Sequence, residues 1–223
     1  MTLSKNKASD LTVSRGAGKN FPTMRNTTDL RQKVLQASLA LIEEGGLDRL
    51  SMREVARKSG VSHQAPYYYF GDREAILAAI AGEGFSKLGQ SFLSAIARAG
   101  SDPAKALEGI GRAYVGFALR HPAYFQAMFR ADAVPLDRYP DVRKREDATF
   151  GQLVEEIGKV FADQPSAVSL TISIACWAMV HGLATLILEG TLARTVRIPR
   201  ARQRQIANEV IGRFTSQFIK DRM

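Results

Sequence analysis

The chain has 223 residues, 45% of them hydrophobic and 24% charged, which is enough to bury a core without staples and too apolar for wholesale disorder. Its one cysteine, Cys176, excludes an intrachain disulfide and a Cys-rich zinc site and fits a reducing compartment. The net charge of +9 points to a polyanion, nucleic acid or membrane surface, without choosing between them.

Residues 1–28 are polar, carry five basic residues (Lys5, Lys7, Arg15, Lys19, Arg25) against Asp10, and show no apolar period. They read as a flexible basic arm without the apolar stretch of a secretory signal. Order is expected from Asp29. Leu30, Val34, Leu35, Ser38, Leu41 and Ile42 then follow a 3.6-residue period, which Gly45-Gly46 ends. Ser51-Met-Arg-Glu54 reads as a capping box opening a short helix that closes at Gly60. Ser62 is expected to cap a third helix from His63 to Phe70, and Asp72 a fourth, with a bend expected around Gly82, Gly84 and Gly89. Pro103, Pro122, Pro165 and Pro199 each suit a first helical turn. They divide the remainder into helices near 103–120, 122–131, 141–162, 165–189 and 199–221. The last carries Ile206, Val210, Ile211, Phe214 and Phe218 on one stripe. No segment alternates with period two. The fold class is therefore all-α, with about nine helices and no internal repeat.

Leu170–Leu188 holds no Asp, Glu, Lys or Arg and approaches the length of a membrane span. Thr171, Ser173, His181 and Thr185 interrupt it, and a helix apolar nearly all round also suits the centre of a bundle. The expectation is a buried helix and no membrane.

Three short helices with the tight turn Ser59-Gly60-Val61-Ser62 between the second and third spell a helix-turn-helix. Gly60 permits the turn, Val61 plugs the angle between the helices, and Ala56 is small enough for close packing. Such a unit presents the first turn of its third helix to a major groove, which makes double-stranded DNA the expected partner. His63 and Gln64 are candidates for base edges, with Gln able to pair bidentately with adenine, and Ala65 for a thymine methyl. Pro66 removes a backbone donor and disfavours a helical Ala65, so an irregular first turn is expected. Ser51, Arg53 and Ser62 are phosphate candidates, which fix register rather than sequence.

Residues 29–77, from the Leu30–Leu41 helix through the Gly60-Val61-Ser62 turn to the Tyr67–Phe70 exit and Arg73-Glu74, resemble the DNA-binding domain of the TetR family of transcriptional repressors. More weakly, His121-Pro122 with Tyr124-Phe125 and Met128-Phe129, and Trp177 with His181-Gly182, resemble the subgroup named for its Trp-His-Gly pattern. The family resemblance implies a homodimer whose residues 78–223 form a helical domain for ligand binding and dimerisation. By family position, Tyr67 and Tyr69 are phosphate-facing hydroxyls, Tyr68 faces DNA or solvent, and Arg73 is a further phosphate contact. The ligand pocket is expected among Tyr114, Phe117, Phe125, Met128, Phe129, Trp177, His181 and Thr185, with Cys176 an inert buried thiol. Dimerisation is expected through residues 166–189 and 202–219, where Ala175, Ala178 and Gly182 would allow close approach.

An enzyme is not expected. Ser14–Asn20 brushes against a phosphate loop, but the early glycine falls on Val13 and Asn20 replaces the Ser or Thr. No HExxH, GxSxG or paired Cys/His site is present, and His63, His121 and His181 are far apart in sequence. No metal and no cofactor are implied. The expected function is a cytoplasmic homodimeric repressor, released from a near-palindromic operator by an unidentified small molecule. A ligand-independent DNA-binding protein or an activator is the alternative.

Overall fold

A computed structural model describes residues 24–130 and 134–220, with side chains from 29 to 130 and from 134 to 219. The described residues form ten α-helices, two single 3₁₀ turns and no strand. The expected basic arm lies outside them as far as residue 23. The first helix, α1 (Met24–Gly45), opens five residues before Asp29. Its periodic face buries Val34, Leu35, Leu41 and Ile42. Ser38 sits fully buried in that face because its hydroxyl donates to the Val34 carbonyl at 2.8 Å.

Gly46 ends the helix at φ +74°, a conformation that favours glycine, and a 3₁₀ turn, Leu47–Arg49, leads into α2 (Met52–Ser59). Then come α3 (Ala65–Phe70) and α4 (Arg73–Ala99), which Asp72 caps by accepting from the Ala75 N–H at 2.8 Å. α4 is helical throughout, and its glycines are where other helices come close. A Cβ on Gly84 would lie 2.6 Å from Met128 Sδ, and one on Gly89 would lie 3.3 Å from Thr149 Oγ1.

The chain continues through α5 (Pro103–Arg120), α6 (Pro122–Phe129), a 3₁₀ turn at Leu136–Arg138, α7 (Pro140–Val160), α8 (Ser166–Leu188), α9 (Thr191–Thr195) and α10 (Arg200–Lys220). Pro103 and Pro122 open their helices as expected, and Pro140 opens α7 in the same way. Pro165 and Pro199 stand one residue outside theirs. The five-residue α9 is too short for a period to reveal.

The centre of this bundle is α5, packed against α4, α7, α8 and α10. The expectation that Leu170–Leu188 lies at the centre is corrected. α8 buries Ser169, Ser173, Cys176, Val180 and Ala184, and leaves Leu170 47% and Ile174 50% exposed. It is the one described helix apolar and long enough to cross a membrane, and only 22% of its apolar window is buried. Apolarity all round here means one face for this core and one face left uncovered.

Candidate nucleic-acid interface and ligand cavity

Local chemistry builds the helix-turn-helix. Ser51 caps α2 by accepting from the Glu54 N–H at 3.2 Å. The reciprocal half of the capping box is absent: the Glu54 carboxylate turns to Arg57, whose Nη2 lies 2.8 Å away, and that bond holds the carboxyl below its ordinary range. Gly60 takes the left-handed conformation at φ +68°, ψ +28°, and its N–H reaches the Ala56 carbonyl. Val61 follows, half-buried against the core.

The third helix begins two residues later than expected. Gln64, not Ser62, is its cap residue, and neither side chain makes a capping bond. Pro66 supplies the reason. It has no N–H for the Ser62 carbonyl, and its ring excludes a helical turn around that carbonyl. The Ser62 carbonyl accepts from Ala65 at 3.0 Å instead. Ser62, His63 and Gln64 thus form an exposed turn that leads into α3, with Ala65 half-buried behind it. Tyr67 is 52% and Tyr68 77% exposed, on the same short helix. Tyr69 is half-buried and meets Tyr68 edge-on at 5.1 Å. Ser51 and Arg53 are exposed at the start of α2. Phe70 packs against the core with the Arg31 guanidinium 4.8 Å over its ring.

Arg73 stands apart from the other candidates. Its Nε donates to the Leu50 carbonyl at 2.8 Å and its Nη2 to the Leu47 carbonyl at 2.7 Å. The guanidinium therefore ties α4 to the chain entering α2, and two of its donor nitrogens face inward. One residue on, Glu74 accepts from Arg138 Nη1 at 3.0 Å and from the Tyr139 hydroxyl at 2.9 Å, clasping α4 to the turn before α7. Burial and the Glu74 carboxylate push the Tyr139 hydroxyl up to about 12.

Further along the chain a cavity of about 290 Å³ lies between α4, α5, α6, α7, α8 and α10. Its lining is aromatic: Phe85, Phe92, Tyr114, Phe129, Phe150, Trp177 and Phe214. Neighbouring rings lie 5.7 Å (Phe150–Trp177) to 6.4 Å (Phe92–Tyr114) apart. The Trp177 Nε1–H donates to the Tyr114 oxygen at 3.3 Å, and the Tyr114 oxygen lies 2.8 Å from His181 Nδ1. One oxygen thus links Trp177 on one side with His181 on the other. Burial lowers the His181 pKa and raises that of Tyr114.

Of the eight expected pocket residues, Tyr114, Phe129 and Trp177 line the cavity. The other five lie outside its lining. Phe117 is core, Phe125 stacks on His181 at 5.3 Å, Met128 packs at Gly84, His181 stands behind Tyr114, and Thr185 is one turn further along α8. Cys176 does line the cavity, its thiol pushed up to about 11 by burial, which fits an inert group. The aromatic and His pattern missed the wall that α7 and α10 supply, including Thr149, Leu153, Ile211 and Phe214. Their apolar period was the available signal. At the mouth, Arg143, Glu146 and Asp147 project from one face of α7. Among the described residues no cluster of metal-ligating side chains occurs.

Two family models match the chain: "Bacterial regulatory proteins, tetR family" over residues 34–80, and "Tetracyclin repressor-like, C-terminal domain" over residues 107–208. The uncharacterized helix-turn-helix-type transcriptional regulator YvdT of Bacillus subtilis is 35% identical over 57 residues, which span 26% of this chain and 29% of that relative. A protein of unknown function from Rhodococcus sp. RHA1 has a similar structure, with a TM-score of 0.68 and 30% identity, covering 82% of this chain and 94% of that one. The regulator FadR of Bacillus subtilis, solved in complex with stearoyl-CoA, shares the fold at 13% identity and a TM-score of 0.64, covering 81% of this chain and 95% of that one.

Proposed function

The chain belongs to the TetR family of bacterial regulatory proteins, and from that premise we propose a homodimeric, cytoplasmic repressor that a small molecule releases from a near-palindromic operator. The observation that carries this is one continuous helix, α4, joined to the helix-turn-helix at Arg73 and lining the cavity at Phe85, Leu88 and Phe92. His63 and Gln64 read bases from the exposed turn, while Ser51, Arg53, Ser62, Tyr67, Tyr68 and Tyr69 meet the backbone. The uncovered face of α8, with Leu170, Ile174, Ala175 and Ala178 exposed, supports pairing with a second copy. Two reading heads about 34–36 Å apart would then meet successive major grooves. Ligand in the cavity favours a state whose heads no longer fit both half-sites, so ligand and operator weaken each other equally.

The test is selection of genomic fragments at physiological salt by the wild type and by His63→Ala/Gln64→Ala. Enrichment of a near-palindrome that the variant loses or relaxes is expected, each lost bidentate contact being worth roughly 1–3 kcal/mol. Uniform, salt-dependent retention of all fragments by both proteins would refute it.

A further inference from the structure

Whatever fills the cavity must match its charge as well as its shape. The volume of about 290 Å³ equals that of roughly ten liquid waters, room for a small amphiphile's body. The seven aromatic rings accept an apolar body, and their faces attract a cation. Side-chain hydrogen-bond donors in the lining are few: Thr149, Tyr114, Trp177, Thr215 and the weak Cys176 thiol, besides Arg143. Thr149 gives its hydroxyl to the Arg145 carbonyl at 2.8 Å, and Tyr114 and Trp177 are bonded to each other.

The charges sit at the mouth. Arg143, the one cation among the lining residues, lies between Asp137 at 3.6 Å and Asp147 at 3.8 Å. The neighbouring Arg145 turns away to Ser86 Oγ at 3.2 Å and the Gly82 carbonyl. Glu146 is different. It is half-buried, and among the described residues it makes no hydrogen bond or salt bridge. Burial pushes its carboxyl up, and Arg143 only partly opposes this. A half-buried carboxylate without a partner carries a desolvation cost that a bound cation offsets.

We infer that the cavity takes an amphiphile with an apolar or aromatic body and a positively charged end, the body against the aromatic wall and the charge against Glu146. An anionic head such as the phosphates of an acyl-CoA would meet the carboxylates instead. This rests on the proposed role of the cavity as the effector site.

Trp177 is the only tryptophan of the chain and lines the cavity, so its emission reports occupancy. The full chain and Glu146→Gln are titrated with decyltrimethylammonium, decan-1-ol, decanoate and decanoyl-CoA below their micellar concentrations. Each compound is also tested for release of the selected DNA fragment. The cation is expected to bind at least ten-fold tighter than the alcohol, and Glu146→Gln to remove that advantage while leaving alcohol binding unchanged. That unchanged binding shows the variant's cavity to be intact. Tighter binding of decanoate or decanoyl-CoA, or a cation preference that survives Glu146→Gln, overturns the charge selection. Cation binding that leaves DNA affinity unaltered supports the charge selection and overturns the effector role. No quenching by any of the four overturns both.

Discussion

Arg73 offers the sharpest test of how the reading head is built. A family phosphate contact and an internal tie make opposite predictions for it. As a tie, it makes two charge-assisted hydrogen bonds, to Leu50 at 2.8 Å and Leu47 at 2.7 Å. Such bonds are worth roughly 1.5–3 kcal/mol each, and the lower end applies to a half-exposed guanidinium. The Leu47 carbonyl keeps a second donor, the Leu50 N–H at 3.1 Å. Arg73→Ala should therefore cost about 3 kcal/mol, chiefly at Leu50. For a chain of this size that is a fall in Tm of roughly 6–12 °C. Arg73→Lys presents a point charge where a fork spans two carbonyls, and should lose about half as much. Thermal unfolding reads both variants. Operator affinity against salt, measured well below Tm, reads the alternative, because each phosphate contact contributes about 0.9 to the log–log slope. The slope is expected to stay at the wild-type value. An Arg73→Ala protein with unchanged Tm and a slope shallower by about 1.8, one lost contact in each half of the dimer, would refute the tie.

Two further predictions concern the bundle. On α5, a Cβ at Gly111 would stand 3.0 Å from Ile211 Cγ2 and 3.4 Å from Val180 Cγ1, two stiff β-branched side chains. Overpacking of roughly 1–3 kcal/mol should outweigh the helix-propensity gain of about 1 kcal/mol in Gly111→Ala. Gly151→Ala on α7, with nothing within 4 Å, should instead raise Tm by roughly 2–4 °C; equal Tm shifts for the two would refute the packing. Burial depresses the His181 pKa, so the stability of its neutral form is present above about 6.5 and lost as pH falls through the lower folded value. Trp177 emission, coupled through Tyr114, should titrate with a midpoint below about 6.5 and stop doing so in His181→Asn. A midpoint at or above that value would contradict the buried neutral ring.

The reading head was more legible in the sequence than the cavity, for a physical reason. Gly60, Val61, Ala56 and Asp72 each meet a local demand (a left-handed turn, a plug, a close contact, a cap) that neighbours in the chain impose. Such demands are written in short spacings. Pro66 was legible as a disturbance; that it would place His63 and Gln64 ahead of the helix required the geometry around the Ser62 carbonyl. The cavity depends on residues of six helices, spread from Phe85 to Thr215. Trp177 and Tyr114 were found through their residue type, but Ile211 and Phe214 face the same space only because α10 lies against α5. α8 was misplaced because an apolar residue looks the same in sequence whether it meets its own core or is left uncovered.

The arrangement also shows how a filled cavity could be felt at the DNA. From Phe85 back to Arg73 is twelve residues of unbroken helix, roughly 18 Å at 1.5 Å per residue. α7 packs directly on α4 and lines the cavity beside it, and the turn before α7 is clasped to the same end of α4 by Arg138 and Tyr139 on Glu74. α4 and α7 thus bound the cavity along their length and are joined at the end nearest the reading head. A body that parts them levers against this clasp, one residue from the tie that Arg73 makes to Leu47 and Leu50. A rigid helix moves as a unit, so a shift at Phe85 reappears at Arg73 rather than dissipating in a loop. The ligand's effect on DNA then depends on its difference in affinity between the parted and closed states, and not on its affinity alone. A compound that fits without parting α4 from α7 would bind, quench Trp177 and leave the operator occupied.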